Sequence, residues 1–198
     1  MNVYTVAPLV AAITYIPLFV TTLSSRPFEN RHKLFLLYLI PAMCWSIFDY
    51  LFRAHIFQSQ GILLWGMLAL VWYPIMATQF HCFTSSFYGK KYGRWLPFAY
   101  ISLVVSLILI TFKFVFNDIA IDDGKFYPIY NPLMLVVIIP LIILAVRNIY
   151  VFWQMLKTNN NPVLHNQILI LMSSILILVT FSLLHMLPSG REFPITHY

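Results

Sequence analysis

Apolar residues fill six stretches of roughly twenty residues, and polar residues are confined to short intervals between them. A hydrocarbon core about 30 Å thick needs about 20 helical residues to cross it. The pattern therefore predicts six transmembrane helices over residues 3–24, 33–57, 62–87, 95–116, 131–156 and 165–187. The intervals 25–32, 58–61, 88–94, 117–130 and 157–164 are read as loops, with a polar tail from 188 onward. Connections this short set each helix antiparallel to its predecessor. The predicted architecture is an all-α integral membrane protein, a polytopic bundle of six helices forming a single domain over 1–198 with no soluble effector domain.

The loop charges predict an orientation. Arg26, Arg31 and Lys33 belong to the first loop region, Lys90, Lys91 and Arg94 to the third, and Lys157 opens the fifth. The opposite side holds only Lys125 and Arg191, and its longest loop carries Asp118, Asp122 and Asp123. Lys and Arg accumulate in cytoplasmic loops, which places the N-terminus outside and the chain in the inner (plasma) membrane. The first basic residue, Arg26, follows the first apolar run, unlike the basic start of a cleavable signal peptide. Tyr88, Tyr92, Trp95, Tyr127 and Tyr130 flank the loops, where a ring can be half apolar and half wet.

Composition agrees: 61% of residues are hydrophobic and 9% charged, against soluble averages of about 45–50% and about 25%. The formal charge of +6 lies in loops beside apolar runs, so it is read as topology and implies no nucleic-acid partner. Cys44 and Cys82 lie within predicted helices without zinc or disulfide spacing, and are read as small hydrophobes.

Intramembrane charge is the main functional signal. Asp49 and Arg53 stand four apart on helix two, so they share a face. Asp49 falls about two thirds of the way across the predicted span, a depth at which a charge needs protein, water or a partner. The pair is either a ligand-responsive polar site or an ion pair that orients the helix. Lys113 and Arg147 have stems that snorkel toward head groups, and Arg147, beside Asn148, also suits a helix-end carbonyl or a lipid head group. Helix three is the most polar-aromatic, with Trp65, Trp72, Tyr73, Thr78, Gln79 and His81, and Pro74 at its middle marks a candidate cavity. Helix six offers Asn166, Gln167, Ser173, Ser174, Thr180 and Ser182 for interhelical hydrogen bonds.

His55 and His185 fall near the predicted external helix ends, and His32, His81 and His165 near the cytoplasmic ends. No span carries two histidines, so haem ligation is the minor reading and no cofactor or metal is expected. Phosphate-binding, HExxH, GxSxG and dinucleotide motifs are missing, so no catalytic residue is expected. A pore filter and repeated broken helices are missing too.

Trp45 and Asp49 within Cys-Trp-Ser-Ile-Phe-Asp-Tyr, Trp65, Pro74, Phe80 and Tyr88-Gly89-Lys90 together form a pattern. Asn117 with its acidic loop, Asn131-Pro132-Leu133 and His165-Asn166-Gln167 extend it. The pattern resembles the N-terminal seven-transmembrane sensor domain of bacterial histidine kinases and of some diguanylate cyclases, over nearly the full length. Ser173-Ser174-Ile175 stands where that domain commonly has a helix-six proline, and the chain stops where helix seven would begin. The resemblance implies a truncated input module that perceives an external or membrane-borne ligand and signals to a kinase or cyclase domain missing here. It also implies a homodimer, with membrane lipid and a small-molecule ligand as partners. The expected ligand site lies in the outer halves of helices two, three, five and six, lined by Asp49, Arg53, Trp65 and Trp72. The alternative is a stand-alone small membrane carrier or haem-binding redox protein.

Overall fold

The computed structural model describes residues 3–54, 59–87, 95–122, 125–158 and 161–186. Among these it forms six helices: α1 (Val3–Ser24), α2 (Asn30–Arg53), α3 (Ser59–Ser85), α4 (Leu96–Thr111), α5 (Met134–Thr158) and α6 (Pro162–Met186). Between α4 and α5 run two strands, β1 (Phe116–Asp122) and β2 (Lys125–Tyr130).

Local chemistry explains where the helix ends depart from expectation. α2 begins at Asn30, earlier than the predicted Lys33, because the chain N-terminal to it is already organised as a cap. The Glu29 backbone N–H donates to His32 Nδ1 at 3.0 Å, as in the reciprocal half of a capping box. α2 then closes at Arg53, where the Ala54 N–H bonds the Tyr50 carbonyl. α4 stops at Thr111 in a Schellman turn: Lys113 N–H donates to the Ile110 carbonyl at 3.0 Å and Phe114 N–H to the Leu109 carbonyl at 2.9 Å. Lys113 holds that turn at φ 60°, the left-handed region in which a Cβ crowds the backbone. Lys113→Gly is therefore expected to stabilise the protein by about 1 kcal/mol, read as a raised unfolding midpoint in detergent.

The interval 117–130, expected to be a loop, is instead an antiparallel hairpin with Ile119 opposite Pro128, Ala120 opposite Tyr127 and Asp122 opposite Lys125. An irregularity between Phe116 and Asp118 leaves Asn117 out of register, as in a bulge. Among the described residues the sheet has two strands, so Pro128 costs no ladder bond to a third. The sequence does carry the signal: Asp123-Gly124 joins two β-prone runs, the dipeptide favoured in two-residue hairpin loops.

Packing divides the chain into two compact units, 1–141 and 142–198. In the first, α2 packs on both α1 and α3, α3 also packs on α4, and β1 approaches α3. Sequential neighbours are thus spatial neighbours, as short connections require. In the second unit Leu144, Asn148, Val151 and Phe152 form the buried stripe of α5, and Ile168 and Ile175 that of α6.

The distribution of side chains on α4 is the reverse of a soluble helix. Its buried residues are Ala99, Ser102, Ser106 and Ile110, while Ile101, Val104 and Phe112 are 64%, 55% and 67% exposed. Apart from Ile110, small and hydroxylic groups face protein and large apolar groups face out. Ser102 Oγ donates to the Ala99 carbonyl and Ser106 Oγ to the Ser102 carbonyl, so both hydroxyls are satisfied within the helix. Helices that associate in hydrocarbon do so through small residues, and the buried face of α4 has that composition. Two helices, Asn30–Phe52 and Met134–Thr158, are long and apolar enough to cross a membrane, and only 28% and 39% of their apolar windows are buried. Pro8–Ser24 and Leu96–Thr111 are apolar and shorter.

Candidate functional site

The site is built on an aromatic seam between α2 and α3. Arg31 lies over the Phe87 ring at 5.0 Å, Phe35 meets Phe83 at 5.1 Å, Tyr38 meets Phe80 at 5.1 Å and Trp45 meets Tyr73 at 6.0 Å. Each step of three, four or seven residues along α2 is matched by an equal step back along α3. That is an antiparallel pair of helices in a heptad-like register. One further position follows from it: Ala42, fully buried, sits across from the buried Met76.

Beyond Trp45 the register changes, since Phe48 stacks on Trp65 at 5.7 Å with the rings 21° apart. Pro74 lies in this stretch of α3 and withholds the N–H that the Leu70 carbonyl would otherwise accept. Asp49 follows Trp45 by about one turn on α2 and stands next to Phe48 in the chain. It is half-buried and makes an interaction within the protein.

Each expected site residue can now be placed. Asp49 and Trp65 are brought to the same end of the α2–α3 seam, Trp65 by way of Phe48. Trp72 is half-buried on α3, two turns from Trp65 and so on the same flank. The Arg53 backbone closes α2, but its side chain, and with it the proposed Asp49–Arg53 pair, lies outside the described residues. α2 closes at Arg53, so Asp49 stands about 6 Å of helix rise from that end; the expected span end at Phe57 lies outside the described residues. Trp45, Phe48 and Tyr73 were not among the expected lining residues. The seam register recoverable from the spacing of aromatic residues on helices two and three was the signal for them.

A second polar group lies between α3 and α4. Cys82 Sγ donates to the Tyr100 hydroxyl at 3.5 Å, beside fully buried Thr78, His81 and Thr84. Cys82 is thus a hydrogen-bonding buried thiol, and Cys44 is half-buried. His32 commits Nδ1 to the α2 cap and stacks on Phe28 at 5.8 Å. His55 and the His185 side chain lie outside the described residues. Among the described residues no three His, Cys, Asp or Glu gather as a metal site.

Arg31, at the start of α2, lies over the ring of Phe87, just past the end of α3, while Lys90, Lys91 and Arg94 lie outside the described residues. At the C-terminal end of α5, Lys157 lies over Trp153 at 5.1 Å. Cations over aromatic faces are suited to a membrane interface, where both groups are half wet. No protein family, curated protein or solved structure matches this chain.

Proposed function

We propose that the chain is a multi-pass plasma-membrane input module of a signalling protein, with six spanning helices, the N-terminus outside and the cationic turns inside. It receives a small ligand near the outer rim of the α2–α3 seam and passes a conformational signal toward a cytoplasmic kinase or cyclase. The observation that carries this reading is the position of Asp49: a carboxylate within one turn of Trp45 and Phe48, whose rings meet α3, near the C-terminal end of α2, in a chain with many exposed large apolar side chains among the described residues. An intramembrane ionisable residue is a functional-site candidate by default. The seam supplies the mobile element, because stacked rings in matched register can exchange one packing for another by a small relative shift. A ligand drives that shift only by its difference in affinity for the two arrangements.

Asp49→Ala, in a fusion to a cytoplasmic kinase domain, is expected to alter the ligand dose–response while membrane insertion stays intact. An unaltered dose–response in a correctly inserted variant removes Asp49 from the site.

A further inference from the structure

The turn that opens α2 is closed by a histidine. The Glu29 backbone N–H, at the cap of the helix, donates to His32 Nδ1 at 3.0 Å. A ring nitrogen accepts only while it carries no proton, so the neutral imidazole here holds its hydrogen on Nε2. The half-buried ring stacks on Phe28 at 5.8 Å with the planes 19° apart, which fixes the direction in which Nδ1 points. The acceptor at this place in a capping box is ordinarily a glutamate or glutamine. Glutamate keeps acceptor oxygens in either charge state, and glutamine does not titrate. Histidine differs from both: protonation turns its acceptor into a donor, and its ordinary range for that change is about pH 5 to 8.

Protonation of His32 sets two N–H donors against each other, its own Nδ1–H and the Glu29 amide. It also adds positive charge at the N-terminus of a 24-residue helix, where the macrodipole is already positive. The charged groups around it are Arg26 in the turn from α1, Glu29 at the cap, and Arg31 and Lys33 on α2 itself. All four are exposed, so water and salt screen the attraction of Glu29 as they screen the repulsion of the three cations. α1 and α3 pack on α2. The last turn of α1 holds no titratable group. Toward the end of α3, His81 and Cys82 are buried, and Cys82 bonds Tyr100 on α4. Tyr88, Lys90, Lys91, Tyr92 and Arg94 beyond α3 lie outside the described residues. The response therefore resides in the hydrogen bond and the helix end. We infer that His32 is a pH-sensitive latch on α2. Neutral, it closes the first turn; protonated, it releases the Glu29 amide and loosens the turn that carries Arg31 to the Phe87 ring.

The test uses the whole 198-residue chain in lipid nanodiscs. Its glutamates are Glu29 and Glu192, so glutamate enriched in the heavy nitrogen isotope gives two backbone amide signals, and the one lost in Glu29→Gln is that of Glu29. Water exchange of this amide is measured between about pH 7.5 and about pH 5.5, across the ordinary histidine range, and divided by the rate of an unstructured amide at each pH. Protection is expected to fall by about fivefold on acidification, the loss of one cap bond. His32→Gln keeps an acceptor that does not titrate and should hold protection constant across the range, while His32→Ala should lack it throughout. His165→Gln, at the opening of α6, should follow the parent. Protection that is flat with pH in the parent overturns the latch, as does the parent's full fall in His32→Gln or undiminished protection in His32→Ala. The outcome is independent of whether Asp49 belongs to a ligand site.

Discussion

Val104→Lys is expected to prevent stable membrane insertion of α4. Val104 is 55% exposed near the middle of a helix running from Leu96 to Thr111. A lysine at the centre of a membrane helix costs about 2.5–3.5 kcal/mol of insertion free energy. Were this face in water, the same substitution on an exposed helical surface would change stability by no more than about 0.5 kcal/mol. The two solvents therefore give opposite outcomes for one substitution. The readout is the fraction of protein retained in the membrane after alkaline carbonate extraction, with Val104→Leu as the matched control. Retention equal to the control would mean that α4 does not face lipid there.

Ala42→Phe is expected to be the most disruptive change within the seam. Ala42 is fully buried and, by register, faces Met76 between the Tyr38–Phe80 and Trp45–Tyr73 pairs. Its methyl is what allows α2 and α3 to approach while carrying so many rings. Helix association in hydrocarbon depends on close packing more than on exclusion of water, so forced separation has little to offset it. Overpacking of this kind costs about 1–3 kcal/mol, and more where rigid rings cannot repack. The Ile40→Phe control, two residues away and 47% exposed, should be nearly silent. Thermal unfolding of both variants in the same detergent makes the comparison. Equal midpoints would show that the ring pairs do not set the α2–α3 spacing.

The helices were legible because the signal for each is long and uniform: twenty apolar residues read the same way whatever packs against them. Boundaries were less legible. They depend on single interactions such as the His32 acceptance at Glu29 and the left-handed turn at Lys113, which periodicity does not report. The hairpin after α4 was missed because its strands were weighed as the polar interval between two apolar runs, and the Asp123-Gly124 dipeptide was not given its own weight. Of the proposed site, Asp49 and Trp65 were legible as a charge within an apolar run and a ring on the most polar-aromatic helix. Their companions Trp45, Phe48 and Tyr73 were not, since which faces of two helices meet is settled by packing across the seam. The inward placement of Ala99, Ser102 and Ser106 was likewise hidden, because α4 is apolar all round and carries almost no directional signal.

Substituted-cysteine labelling tests the threaded arrangement most directly. With Cys44 and Cys82 replaced, single cysteines at Asp122 and Lys90 are exposed in intact cells to a maleimide that cannot cross membranes. The predicted result is labelling at Asp122→Cys and protection at Lys90→Cys until the cells are lysed. Labelling of Lys90→Cys from outside, with Asp122→Cys protected, would contradict it.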